Sequence, residues 1–255
     1  MHARTLSAAH GALWFSGGFT LYRRNPPLLI SLTFAYLLLV IVINLIPFVG
    51  PVLLSLVFPT LTAVLGNGCH AIERRRTADV SELMRGIQSH RLSLLRLGML
   101  NVAGSLIIIA MGNLLGLDAR VDPNLDEARA TELLQKLGLL MLLASPLFMA
   151  FWFAPLLTLW NGVPATKSVF FSFVASWRNW RAFAMYGVAV ALFGLLAPAL
   201  LLVVVGTVAG AAVGSFAFLL RLVMVFVLAP VLVASVYLSY RDVFHMPPRE
   251  IDVAA

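Results

Sequence analysis

Residues 26–71 contain no Asp, Glu, Lys or Arg. A run that long has no charged face to turn toward water, and about 20 apolar residues in a helix already cross a hydrocarbon layer of roughly 30 Å. The run is too long for one crossing. "IPFVGP" at residues 46–51 divides it, because Pro ends helices and Gly with Pro marks turns. The pattern predicts a hairpin of two spans, residues 28–46 and 52–71.

Four further spans follow by the same rule, at residues 92–117, 137–160, 182–205 and 215–237, with a turn expected at "GTVAGAAVG" between the last two. Composition agrees: 61% of the residues are hydrophobic and 11% charged, against roughly 25% charged in soluble domains. Mean hydropathy is +0.95. The expected fold is an all-α integral membrane protein of six transmembrane helices, a single membrane domain over residues 1–255. The opening residues lack a compact apolar stretch with a small-residue cleavage site, so they are expected to stay with the mature protein.

Arg and Lys are unevenly placed. One set of loops holds Arg4, Arg23, Arg24, Arg74, Arg75, Arg76, Arg85, Arg91, Lys167, Arg178, Arg181, Arg241 and Arg249; the other holds Arg120, Arg129 and Lys136. The positive-inside rule then predicts that both termini face the cytoplasm. The net charge of +7 is explained by these short loops, which excludes a nucleic-acid face as its cause. Cys69 is the single cysteine, so no internal disulfide forms. With no Cys/His ligand spacing, no metal and no cofactor are expected.

Three segments lead into spans in a similar way: "FTLYRRNPPLL", "GIQSHRLSLL" and "SFVASWRNWRAF". The second span of each hairpin carries a proline between apolar residues, Pro59, Pro155 and Pro230. These features predict three parallel repeats, each an interfacial amphipathic helix plus a transmembrane hairpin, at about residues 8–71, 77–160 and 165–240, with a cytoplasmic tail at 241–255. Interfacial segments are expected near residues 15–24, 80–90 and 169–180. Thr77 or Ser81 is the expected cap of the second one. Trp177 and Trp180 suit the headgroup layer, and Arg178 and Arg181 can reach anionic headgroups from there, as can Arg23, Arg24, Arg74, Arg75 and Arg76.

No Asp or Glu falls within the spans so drawn, which argues against an ion-coupled carrier. P-loop, GxSxG and HExxH motifs are absent, which argues against the common enzymes. Arg96, near a boundary, reads as a snorkelling residue. Arg221 has two readings, snorkelling outward or lining a cavity together with Asn101 and the helices kinked at Pro59, Pro155 and Pro230. Asn44, Asn101 and Asn113 are expected to bond between helices. His70 beside Cys69 and Glu73 reads as a hydrogen-bonded histidine at the membrane edge rather than a metal ligand.

The order of these units, with "NGCHAIERRRTADVSELMRGI" after the second span and "FAPLLTLWNGVPATKSVFFSFVASWRNWRAFAMYG" from the fourth into the fifth, resembles an uncharacterised family of proteobacterial six-helix inner-membrane proteins. The repeat is also similar to the membrane domain of some bacterial glycerophosphodiester phosphodiesterases, but their soluble catalytic domain has no counterpart here. The expectation is a non-enzymatic bacterial inner-membrane protein acting through anionic lipids or a membrane partner, as an envelope-maintenance or assembly factor, with homo-oligomers among the expected partners. The alternative is a transporter of a lipid or small amphiphile with a cavity between the repeats.

Overall fold

The computed structural model describes residues 3–47, 49–76, 78–117, 126–210 and 213–244. Among these no strand occurs. Six helical segments are long and apolar enough to cross a membrane: Pro26–Asn44, Val49–Glu73, Arg91–Leu114, Arg129–Asn161, Trp180–Val208 and Val213–Phe244. Thr77, Arg120, Arg249 and residues 245–255 of the expected tail lie outside the described residues.

The helices are α1 (Ala9–Arg24), α2 (Pro26–Asn44), α3 (Val49–Glu73), α4 (Val80–Leu83), α5 (Arg91–Leu114), α6 (Glu127–Trp152), α7 (Ala154–Asn161), α8 (Ala165–Arg178), α9 (Trp180–Ala191), α10 (Ala197–Val208), α11 (Val213–Val223) and α12 (Ala229–Phe244). The fourth span is α6 broken into α7 at Phe153. The fifth joins α9 to α10 through a π-helical turn at Leu192–Leu196, and the sixth joins α11 to α12 through another at Met224–Leu228.

Local sequence explains the ends. Pro26 and Pro27 open α2, where a missing N–H costs nothing, and the Asn25 side chain accepts from the Leu28 amide at 3.2 Å. The end of α3 closes as a Schellman motif: Arg76 N–H donates to Ala71 O at 2.9 Å and Arg75 N–H to Ile72 O at 3.1 Å. Arg75, at φ 52°, therefore occupies the left-handed position that glycine usually takes.

Helix α1 packs against α9 and α12, with Trp14 buried among Phe183 and Tyr186. Helices α3 and α5 approach closely because of Gly98, where any Cβ would fall 2.0 Å from the Leu56 carbonyl oxygen. One end of the bundle gathers Arg24, Glu73, Asn161 and Arg241, and is called the basic end below.

Three sequence expectations change. Span six continues to Phe244, so Arg241 and Asp242 are helical rather than part of a tail; Tyr237, Tyr240 and Val243 pack into the core and carry the helix onward. Glu73 likewise completes α3 and Glu132 stands early in the fourth span, so the spans do contain carboxylates near their ends. The segment expected as a helix over 80–90 is helical only at Val80–Leu83 and continues as turns. Asn67 Nδ2 donates to Leu83 O at 2.9 Å and Arg85 O at 3.0 Å, taking carbonyls that a longer helix would need, and Gly86 at φ +75° turns the chain away. Its cap is Asp79, which accepts from the Glu82 amide at 3.0 Å and the Ser81 hydroxyl at 3.1 Å; these bonds hold its carboxyl below the usual carboxylate range.

Candidate functional site: a basic pocket above an apolar cavity

Two concavities lie along the α3 and α12 pair. The first, of about 970 Å³, opens at the basic end between α1, α3 and α12. Arg4, Arg24, Arg74, Arg76 and Arg241 line it, with His10 and His70, while Leu6, Leu13, Leu21 and Leu238 supply apolar surface.

Its two carboxylates are already engaged. Glu73 is paired with Arg241 and accepts from the Tyr237 hydroxyl. Asp242 accepts from Arg241 at 2.7 Å and from Trp14 Nε1 at 3.2 Å. His70 Nδ1 lies 3.1 Å from the Tyr237 hydroxyl oxygen; since the single phenolic proton goes to Glu73, His70 donates from Nδ1. Among the described residues no three His, Cys, Asp or Glu side chains are grouped to hold a metal ion: Cys69 is buried in the core, beside His70 in sequence but turned to apolar neighbours. The arginines on the rim are less engaged. Arg24 donates only to the Glu73 backbone carbonyl at 3.4 Å, Arg76 stands 3.8 Å from Glu82, and Arg74 has no carboxylate partner among the described residues. Arg23 and Arg75 are exposed beside them.

The second concavity, of about 490 Å³, is apolar and lies at mid-span between α2, α3, α5, α6 and α12. Phe58, Leu65, Leu147, Phe151 and Val233 are typical of its wall; Asn101, Ser55, Ser105, Thr62, Tyr36 and Tyr237 contribute its polar groups. Asn101 Nδ2 donates to Ser55 O at 2.8 Å, and the Ser55 and Ser105 hydroxyls bond each other at 3.0 Å.

The three prolines are handled differently, which no pattern of residue types distinguishes. Pro59 frees the Ser55 carbonyl that Asn101 takes. Near Pro155 the Ser172 hydroxyl of α8 is inserted into the helix ladder, accepting from Phe153 N–H at 2.9 Å and donating to Met149 O at 2.8 Å. Pro230 follows the π-helical turn of span six. All three prolines are buried or nearly so within the bundle, and none lines the mid-span cavity. Arg221 stands exposed on α11 and lines neither concavity, so of the residues expected around a cavity only Asn101 contributes to its wall.

Trp177 and Trp180 are 60% and 55% exposed, and the Arg181 guanidinium lies 5.6 Å from the centre of the Trp180 ring. Arg178 donates to the Thr5 hydroxyl at 3.2 Å. Between them Asn179, at 1% exposure, is the residue that sequence reasoning passed over. Its Oδ1 accepts from Leu6 N–H at 2.8 Å, and its Nδ2 donates to Arg4 O and Ala175 O, both at 2.9 Å. It ties the chain's first described residues to the start of span five. The Glu73–Arg241–Asp242 group was also passed over; the available signal was Tyr237 and Arg241 one turn apart at the end of a span.

No family model matches the chain, and no solved structure matches it. A probable inner membrane protein of Burkholderia thailandensis, BTH_II0599, is 32% identical over 260 residues, covering 94% of this chain and 92% of that protein. Similarity of that extent over nearly the full length of both, joined to six membrane-length helices, places the chain in the family of that probable inner membrane protein, as a multi-pass inner-membrane protein.

Proposed function

We propose that this protein acts without catalysis, by holding anionic lipid headgroups at its basic end and so serving in maintenance or assembly of the envelope. The observation that carries the reading is the basic pocket, where Arg24, Arg74 and Arg76 rim a floor whose carboxylates are already taken by Arg241, Tyr237 and Trp14. Charge left over in such a pocket favours phosphate, which guanidinium groups bind in bidentate fashion. The exposed Trp177 and Trp180 with Arg178 and Arg181 form a second contact zone at the same end.

On this reading the basic end faces the cytoplasm, with both termini there. Reporter fusions after Arg76 and Lys167 then report cytoplasm and one at residue 124 periplasm; the reverse pattern refutes the orientation. The likeness to the membrane domain of glycerophosphodiester phosphodiesterases, with its three-unit organisation, belongs to the same proposal. A membrane-protein partner or a second copy of the chain would dock at this end as well.

The test is competition of phosphatidylglycerol against phosphatidylcholine for the protein in nanodiscs. Replacing Arg24, Arg74 and Arg76 with glutamine should reduce the preference by about 1 kcal/mol per residue, and less at high salt. An unchanged preference overturns the reading.

The mid-span cavity favours a second reading, transport of a lipid or small amphiphile. Flux of a fluorescent amphiphile across liposomes that is lost in Asn101→Leu with folding retained would replace the first reading with this one.

A further inference from the structure

The two concavities share a line of residues. On α3, Thr62 and Gly66 line the apolar cavity and His70 lines the basic pocket, as does Arg74 just past the helix end; on α12, Val233 and Tyr237 line the cavity, and Tyr237 and Arg241 the pocket. Steps of four keep to one face of a helix, so both spaces open on the same face of the same two helices, one above the other. From Gly66 to His70 the rise is only about 6 Å. Tyr237 is the side chain they have in common, and its hydroxyl is bonded to Glu73 and His70.

The chemistry of the cavity is one-sided. Asn101 Nδ2 donates to Ser55 O, one of the Ser55 and Ser105 hydroxyls donates to the other, and the Thr62 hydroxyl donates to Phe58 O at 3.0 Å, so part of the polar lining is engaged within the wall itself. Most of the lining is apolar, and Phe58, Leu65, Leu147 and Phe151 offer dispersion contacts to a hydrocarbon. Its volume of about 490 Å³ lies within the roughly 300–1,000 Å³ of small-molecule sites.

We infer that the stacked spaces are one site for a phosphate-headed amphiphile, the alkyl chain in the mid-span cavity and the phosphate among Arg24, Arg74 and Arg76. The inference rests on the headgroup reading above and adds the chain site and the class of ligand. It differs from general lipid coating in requiring that occupancy of the cavity depend on the charge of the head.

Cys69 is the single cysteine and is fully buried, so a thiol placed in the cavity is the accessible one. The test uses Ser105→Cys, with Leu147→Cys as a second position should the first fail to fold, in phosphatidylcholine nanodiscs. Unreactive Cys69 in otherwise native protein is the control for packing. N-dodecylmaleimide should label the new thiol, and a charged, water-borne methanethiosulfonate should not. Dodecyl phosphate should protect the thiol and dodecylphosphocholine should protect it far less. Adding Arg24→Gln and Arg76→Gln should weaken protection by dodecyl phosphate about tenfold or more, as expected for two lost headgroup cations.

Rapid labelling by the charged reagent means a water-filled space and overturns the inference. Equal protection by the two amphiphiles, or charge-selective protection that survives the arginine substitutions, overturns it as well. If the arginine variants lose their preference for phosphatidylglycerol while cavity protection never depends on head charge, the headgroup reading stands and the shared site falls.

Discussion

Asn101 of α5 donates from Nδ2 to the Ser55 carbonyl of α3 at 2.8 Å, and that carbonyl is the one Pro59, four residues on, leaves without its helical donor. The proline creates an unpaired acceptor in the hydrocarbon region, and the neighbouring helix fills it. Asn101→Leu should therefore destabilise the protein by about 0.6–1.7 kcal/mol, the range of hydrogen bonds between membrane helices. Restoring the backbone donor with Pro59→Ala should make the same substitution nearly neutral. A double-mutant cycle read by unfolding in mixed micelles measures this, and additive effects would show that the two residues act independently.

Ser172 holds open the break between α6 and α7 by bridging Phe153 N–H and Met149 O. Ser172→Ala leaves the Phe153 N–H without its acceptor, while Met149 O keeps the Ser176 hydroxyl at 3.2 Å, at a cost of about 1–3 kcal/mol unless the helix straightens to join Phe153 N–H to Met149 O directly. Distances between spin labels near the two ends of the fourth span distinguish the outcomes: a longer span with preserved stability means the serine imposes the bend.

Arg75 sits in the left-handed position of the Schellman turn. Arg75→Gly relieves about 1 kcal/mol of backbone strain and should raise stability, while Arg75→Val should lower it. Unfolding midpoints of the two variants report this. A glycine variant less stable than the parent would mean that the guanidinium contributes more than the strain costs.

Asn179 clamps Leu6 and Arg4 to the end of α8. In Asn179→Ala, amide exchange at residues 4–8 should accelerate more than tenfold, about 1.4 kcal/mol or more of lost local protection, with exchange in α3 and α5 unchanged. Uniform acceleration across the bundle would make Asn179 a residue of global packing instead.

The Asp79 cap gives the segment after α3 an acid sensitivity. Its carboxyl titrates lower in the folded protein than unfolded, so its contribution is present above the ordinary value near about 3.9 and is lost as pH falls through the folded value. Exchange at residues 80–85 should rise in acid, and Asp79→Asn should remove most of that pH dependence.

The sequence by itself determined the membrane class and the approximate place of all six spans. Uncharged runs of about 20 residues suit a hydrocarbon solvent, and proline and glycine at residues 46–51 divide the first run, with α2 ending at Asn44 and α3 beginning at Val49. Trp177, Trp180, Arg178 and Arg181, expected at the headgroup layer, are exposed side chains. What tertiary structure alone decided were contacts between residues far apart in the chain. Glu73 meets Arg241 across 168 positions, Asn179 meets Leu6 across 173, and Asn101 meets Ser55 across 46. Arg221 faces outward and Asn101 inward for the same reason: periodicity shows that a residue lies in a helix, but in a helix apolar all round it does not show which side meets another helix and which meets lipid. The end of span six was misplaced at Tyr237 because hydropathy falls there, whereas packing of Tyr240 and Val243 in the core, with Glu73 and Asp242 neutralising Arg241, carries the helix to Phe244.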